Sequence, residues 1–338
     1  DDLSKQELLE ILTANLSSGA FTKLDNEKTM EKRSKSDLYT LVLERIIQID
    51  TKQTWSMTDS IFRSAMVKAE VAEKYPDAKL EFRSWLTPVF LTTPMSSKAE
   101  FAGVRTAILG SLWMVGIAIL FALPIGTGAA VYLQEYASKN LLNRIIQTNI
   151  NNLAGVPSIV YGMLGLAIFV RALEPFTSGS MFGVTDSNGR TILSAGLTMG
   201  TLVLPLIIIN AQEAIKAVPD SLRQAAYGVG ATRWQTVWHH VLPNALPGIL
   251  TGSILAVSRA IGETAPLIVV GASTFINIDP EGPFSKFTAL PIQIYQWTTR
   301  AQSEFHAIAA SAIIVLLILL LSLNATAVLL RNRVQRKY

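Results

Sequence analysis

Five stretches of this chain are apolar enough, for long enough, to cross a lipid bilayer, and that decides most of what it can fold into. About twenty apolar residues of helix cover the roughly 30 Å of hydrocarbon in a membrane. Inside hydrocarbon each backbone amide must find its partner within the segment, so such runs fold as helices. The stretches lie at about residues 104–132, 153–173, 191–211, 245–272 and 307–330. Pro124 and Pro205 sit inside two of them, which neighbouring membrane helices permit. The expected fold class is therefore all-α, a polytopic membrane protein. Composition agrees, with 50% of residues hydrophobic and 16% charged.

Residues 1–85 read differently. Leu8, Leu9, Ile11, Leu12 and Leu16 recur at helical spacing; Leu41, Val42, Ile46 and Ile47 do so again; Ile61 to Tyr75 gives a third pattern, closed by Pro76-Asp77. Charges of both signs cover the other faces, which predicts a small helical domain outside the bilayer. It either packs only on its own subunit or docks a partner. Residues 86–103 form a junction, where Pro88 and Pro94 break helices ahead of the first apolar run.

The basic end, residues 331–338 with Arg331, Arg333, Arg336 and Lys337, favours a cytoplasmic C-terminus. Counting back through the spans puts Lys139, Arg144, Lys216, Arg223 and Arg233 inside. It puts residues 174–190 and 273–305 outside, and residues 1–85 outside as an extracytoplasmic domain, since long domains translocate regardless of charge. An outside start needs something to deliver it. The expectation is a further span ahead of Asp1, cleaved or missing from this chain.

Between the third and fourth spans lies a polar, patterned stretch, residues 219–243. Ser221 and Gln224 have capping-box spacing. Leu222, Ala225, Ala226 and Val229 make one apolar stripe, Gly228 and Gly230 can turn the chain, and Trp234, Val237, Trp238 and Val241 make a second stripe that Leu242-Pro243 ends. The stretch predicts two short helices around a glycine turn. On this pattern alone it could be an amphipathic loop lying on the membrane surface.

The stretch resembles the EAA loop of ABC-importer membrane subunits, with Gln224-Ala225-Ala226, Gly230 and Leu242-Pro243 in the family's places. Two residues depart from it: Gln224 stands for the leading Glu, and His240 for an aliphatic residue. The resemblance implies that this loop docks into a groove on a cytoplasmic ATPase subunit.

The fourth span carries Arg259 and Glu263 in the run R-A-I-G-E-T-A-P, residues 259–266. A charge within a membrane segment costs about 2.5 kcal/mol or more, and it faces a partner or a wet pathway. Four residues apart, the two side chains fit one helix face. Arg259 offers a planar fork of donors to an oxyanion, and Glu263 can hold that fork between substrates. The pair could equally be a self-neutralising structural contact. The run, including Thr264, is similar to the signature of phosphate-importer permeases, as are G-V-P-S-I-V-Y-G at residues 155–162 and T-A-L-P-I-Q-I-Y before the last span.

Over about residues 102–328 the chain thus resembles PstA-type permease subunits of bacterial phosphate importers. Some members carry an intramembrane Arg at the place of Ile209, so phosphate contacts from the third span are not carried over. The resemblance implies a multi-pass protein of the bacterial plasma (inner) membrane, Arg259, Glu263 and Thr264 on the phosphate path, and several partners: a PstC-type permease, a PstB-type ATPase dimer and a PstS-type phosphate-binding protein. ATP and magnesium would be bound by the ATPase, with no cofactor in this chain. A permease for molybdate or sulfate, and a membrane component that signals transporter state, are the alternatives. No phosphate loop G-x-x-x-x-G-K-[ST], H-E-x-x-H or G-x-S-x-G run is present, and Cys is absent, so no enzyme function is expected. Lys and Arg do not concentrate on one segment, so a nucleic-acid partner is not expected either.

Overall fold

A computed structural model describes residues 3–335 apart from 28, 48–51, 56, 83, 139, 185–187, 273 and 274. The sequence readings on Lys139, Arg336 and Lys337 fall outside these residues. All regular structure among the described residues is helical. The chain forms two compact units, residues 1–106 with 296–312 and residues 107–295 with 313–338.

In the first unit, helices α1 (Lys5–Asn15), α2 (Ser18–Glu27) and α3 (Lys35–Val42) bury Leu8, Leu12, Leu24, Met30, Leu38, Leu41 and Val42 against one another. Ser4 and Glu7 close a capping box on α1, and Ser34 and Asp37 close one on α3, so the first free amides of both helices are satisfied. Asp37 is buried and also accepts from Arg105 Nη2 at 2.8 Å. The pattern at residues 61–75 resolves into α4 (Met57–Phe62) and α5 (Ser64–Lys74), broken at Arg63. Only Val67 of these two helices is buried, so the third apolar pattern is not a core stripe. Helix α6 (Pro88–Thr92) carries Phe90, whose ring lies 6.1 Å from that of Trp297.

The remaining helices lie wholly or mainly in the second unit. They are α7 (Arg105–Val131, prolonged by a wide turn over Tyr132–Tyr136), α8 (Leu141–Leu153), α9 (Ser158–Gly165, prolonged over Leu166–Ala172), the short α10 (Glu174–Thr177) and α11 (Ile192–Lys216). Next come α12 (Asp220–Gly228), α13 (Arg233–Thr236), α14 (Leu242–Ile261), α15 (Ala265–Val270), α16 (Leu290–Thr298) and α17 (Ser303–Gln335). Four continuous helical stretches, Arg105–Tyr136, Ile192–Lys216, Arg233–Ile261 and Ser303–Arg333, are long and apolar enough to cross a membrane. Helix α11 is the centre: 67% of its most apolar window is buried, against 6% for the last stretch. It packs along α14 and against α9.

Three expectations about the spans change. The second apolar stretch is not one straight helix from residue 153. Helices α8 and α9 meet at 106°. Gly155 and Pro157 supply the corner, and the chain turns through short bonds, Gly155 N–H to Asn152 O and Val156 N–H to Leu153 O. Residues 132–152, which the charges and polar residues between the first two apolar stretches lead one to expect as a loop, are therefore mostly helix, with Asn140 capping α8 through Asn143 N–H. Its polar residues serve that fold, since Gln147 and Gln212 exchange amide hydrogen bonds of 3.1 and 2.7 Å. The fourth span ends at Ile261 instead of running to residue 272, because Gly262 stops the helix and α15 restarts after Thr264.

Leu242-Pro243 also does not end a helix. A wide turn over Val237–Val241 carries the chain from α13 straight into α14. The Leu242 amide bonds back to Val237 O, and Pro243 follows in the first turn of α14, where its missing N–H is tolerated.

Candidate functional site

Arg259 and Glu263 are brought together, but not on one helix face. Arg259 occupies the last turn of α14, where a cation suits the partial negative charge of the open carbonyls. Gly262 N–H bonds to Arg259 O and Glu263 N–H to Ala260 O, so Glu263 lies just past the helix end. Arg259 Nε stands 3.6 Å from Glu263 Oε1, an ion pair too long for a good hydrogen bond. The Arg259 side chain is 54% exposed within this chain and that of Glu263 21%. Among the described residues Glu263 is the sole polar partner of the Arg259 side chain. A half-exposed pair of this kind contributes about 0–1 kcal/mol. Arg259 therefore has most of its donor fork open to something other than this chain. Thr264 follows at the cap position of α15, its side chain making no capping bond.

The second motif lies against the same break. Gly162 of α9 faces Pro266 in the first turn of α15: a Cβ on Gly162 would lie 2.6 Å from Pro266 Cα and 3.2 Å from Val269 Cβ. Only a hydrogen in that place lets the two helices meet. Tyr161, buried, donates its hydroxyl to Leu153 O at 2.8 Å, so it satisfies a carbonyl at the α8–α9 corner. One residue before Arg259, Ser258 is 2.5 Å from Asn324 Oδ1 and joins α14 to α17.

In the stretch 219–243, α12 begins two residues earlier than the Ser221 and Gln224 spacing suggests. Pro219 takes the cap position with φ −61° and no side-chain bond, and the capping box forms instead between Thr232 and Gln235. Proline needs no amide partner there, and its locked φ suits a helix entry. The expected stripe divides. Ala226 is buried and Leu222 packs on a core cluster with Ile215, Val218 and Val241, while Gln224, Ala225 and Val229 point outward. Gly228 is the last helical residue, and Gly230 makes the turn with φ +82°. Past the turn, Val237 and Val241 go inward, whereas Trp234 and Trp238 stack outside with ring centroids 5.5 Å apart. The outer surface of this elbow is thus Ala225, Val229, Trp234 and Trp238, an apolar knob on a polar segment.

Sequence reasoning missed Arg223 as more than an inside cation. Its guanidinium donates to Glu135 Oε1 (2.8 and 3.2 Å), Ile215 O (3.0 Å), Val218 O (2.7 Å) and Asp220 Oδ1 (3.1 Å). Glu135, buried at the end of the first span, was a usable signal: a lone carboxylate beside an apolar run needs a cation.

A family model described as binding-protein-dependent transport system inner membrane component matches residues 122–336. Among similar proteins, a probable ABC transporter permease, YqgI of Bacillus subtilis, is 32% identical over 72% of this chain and 83% of its own length. The phosphate transport system permease protein PstA 1 of Mycobacterium tuberculosis is 34% identical over 69% and 72%. PstC of Haemophilus influenzae is 34% identical over 56% and 64%. Among solved structures, the MetNI methionine ABC transporter in an inward-facing form aligns with TM-score 0.54 at 20% identity over 71% of this chain and 99% of that one. A bacterial alginate ABC transporter with its periplasmic protein aligns with TM-score 0.51 at 17% identity over 89% and 94%. These two show the fold alone. Taken with the helical bundle and the family match across most of its apolar part, this chain belongs to the inner-membrane components of binding-protein-dependent transport systems.

Proposed function

We propose that this chain is the permease subunit of an ATP-driven importer that passes inorganic phosphate inward through a bacterial plasma membrane. The observation that carries the reading is Arg259. A guanidinium fork stands at a helix break within the apolar part of the chain, with one long contact and most of its surface open. An anionic oxyanion is excluded by hydrocarbon and accepted by such a fork. The identity to PstA-named and PstC-named permeases supports phosphate as the oxyanion. Thr264, with its hydroxyl uncommitted to capping, stands beside the same break.

The chain works with a PstC-type second permease, a PstB-type ATPase dimer carrying ATP and magnesium, and a PstS-type phosphate-binding protein. The elbow around Gly230 is the ATPase dock, on the cytoplasmic side with the C-terminus. Residues 1–85 lie on the opposite side. Protease added to right-side-out vesicles cuts within residues 1–85 and spares residues 219–243; the reverse pattern would overturn this orientation.

Uptake of labelled phosphate into vesicles holding the whole complex tests the role of Arg259. Arg259→Gln abolishes uptake with assembly intact. Arg259→Lys, which keeps charge and loses the fork, transports poorly. The double variant Arg259→Gln with Glu263→Gln assembles and stays inactive. Normal uptake by that double variant would remove Arg259 from the substrate path. Uptake of labelled molybdate or sulfate in preference to phosphate would change the substrate and leave the class of protein standing.

A further inference from the structure

We infer that the Arg223–Glu135 pair is the link that passes movement of the ATPase-docking elbow to the first span. This rests on the proposal that the elbow around Gly230 docks the ATPase. Helix α12 touches the body of the second unit through few groups. Leu222 and Ala226 face inward, while Ser221, Gln224, Ala225, Tyr227 and Gly228 are exposed. Arg223 is the polar anchor among them, 15% exposed, and its donors reach two elements beyond α12 at once. They cap Ile215 O and Val218 O at the end of α11, and they hold Glu135 at the end of the wide turn that prolongs α7. Glu135 is 8% exposed and 88 residues away in sequence. Among the described residues of the second unit it is the one buried carboxylate.

Removing a buried charge's partner leaves that charge uncompensated, so the two groups must travel together when α12 moves. The guanidinium fork is rigid and planar, and the pair is held by two donors to one oxygen, which fixes direction as well as distance. A push on the elbow therefore reaches the ends of both α7 and α11 without a flexible step between. Arg223 and Glu135 are positioning residues: neither lies at Arg259, and they act by moving the spans that surround it.

The test uses the assembled complex in vesicles and measures ATP hydrolysis and labelled phosphate uptake on the same preparation. Two substitutions are compared, Glu135→Gln, which keeps shape and removes charge, and Arg223→Lys, which keeps charge and loses the fork. Both are expected to hold ATP hydrolysis near the parent rate while phosphate moved per ATP falls about tenfold, within the range for coupling between sites. A purely structural pair would lower complex yield, hydrolysis and uptake in proportion, and that result overturns the link, as does an unchanged ratio in both variants. Because the chain lacks Cys, Val229→Cys supplies a single handle on the elbow. Cross-linking of Val229→Cys to the ATPase with an unchanged ratio in the two variants refutes the link and keeps the dock. Absence of any cross-link removes the dock, and the link with it.

Discussion

Replacing Gly162 by alanine adds one methyl group and should separate the two motifs on which the candidate site rests. The new Cβ would lie 2.6 Å from Pro266 Cα and 3.0 Å from Pro266 O. Both are backbone atoms, and the first turn of a helix that starts at a proline has no side chain to swing aside. Ordinary carbon contacts lie at about 3.5–4.0 Å, so α9 and α15 must part by about 1 Å. Overpacking of this kind costs about 1–3 kcal/mol. Alanine also gains up to about 1 kcal/mol over glycine as a helix former, which masks part of the loss. Gly116→Ala isolates that gain, because Gly116 is helical and a Cβ there meets nothing within 4 Å. The purified complex in detergent should melt several degrees lower with Gly162→Ala than with Gly116→Ala. Phosphate uptake should fall with the first and persist with the second. Equal melting of the two variants would refute the close approach of α9 to α15.

Gly230→Val strains the elbow by about 1–3 kcal/mol, because the backbone there has φ +82° and only the conformation, not the space, resists a side chain. The ATPase should co-purify poorly with Gly230→Val and well with Gly230→Asn, since asparagine tolerates positive φ; equal recovery would detach the turn from docking. In the first unit, hydrogen bonds from Lys74, Trp55 and Gln53 hold the Glu70 carboxylate below its ordinary value of 4.5. Its folded pKa is depressed, so its contribution is present above the ordinary carboxylate range and is lost as pH falls through the lowered value. Titration of the Glu70 carboxyl by NMR checks this, and a midpoint at or above 4.5 would contradict it.

The apolar runs made the all-helical membrane fold legible, because a bilayer leaves a continuous apolar run little choice. What they hid is where a run stops being one helix. Hydropathy averages over Gly155-Val156-Pro157 and over Gly262-Glu263-Thr264, yet the chain bends at the first and breaks at the second. Both contain breakers that were visible, but Pro124 and Pro205 are breakers too and sit inside unbroken helices, so a breaker alone does not say where a helix ends. Pro243 misled for the opposite reason: a wide turn absorbed it and the helix went on. The stripe at 222–229 was legible as a helix and not as a face. Ala225 and Val229 keep helical spacing, yet they point away from the fold. The Arg259–Glu263 spacing was legible, while the helix end between them was not.

That helix end carries its own requirement. Within apolar surroundings, backbone that leaves a helix is tolerated only where protein buries it or water reaches it. Gly262 is exposed within this chain, and Glu263 and Thr264 are half-buried, so the chain alone does not bury the break. Arg259 beside it adds a charge that hydrocarbon would reject. A path that carries a hydrated anion meets both requirements at once. Thr264→Cys in this chain without native Cys should then react with a charged, membrane-impermeant thiol reagent, and phosphate should slow the reaction. Leu120→Cys, on an exposed apolar position in the middle of α7, faces lipid on the same reasoning and should stay unreactive. If Thr264→Cys were as inert as Leu120→Cys in the assembled complex, water would not reach the break. Arg259 would then need a buried protein partner in place of a passing anion.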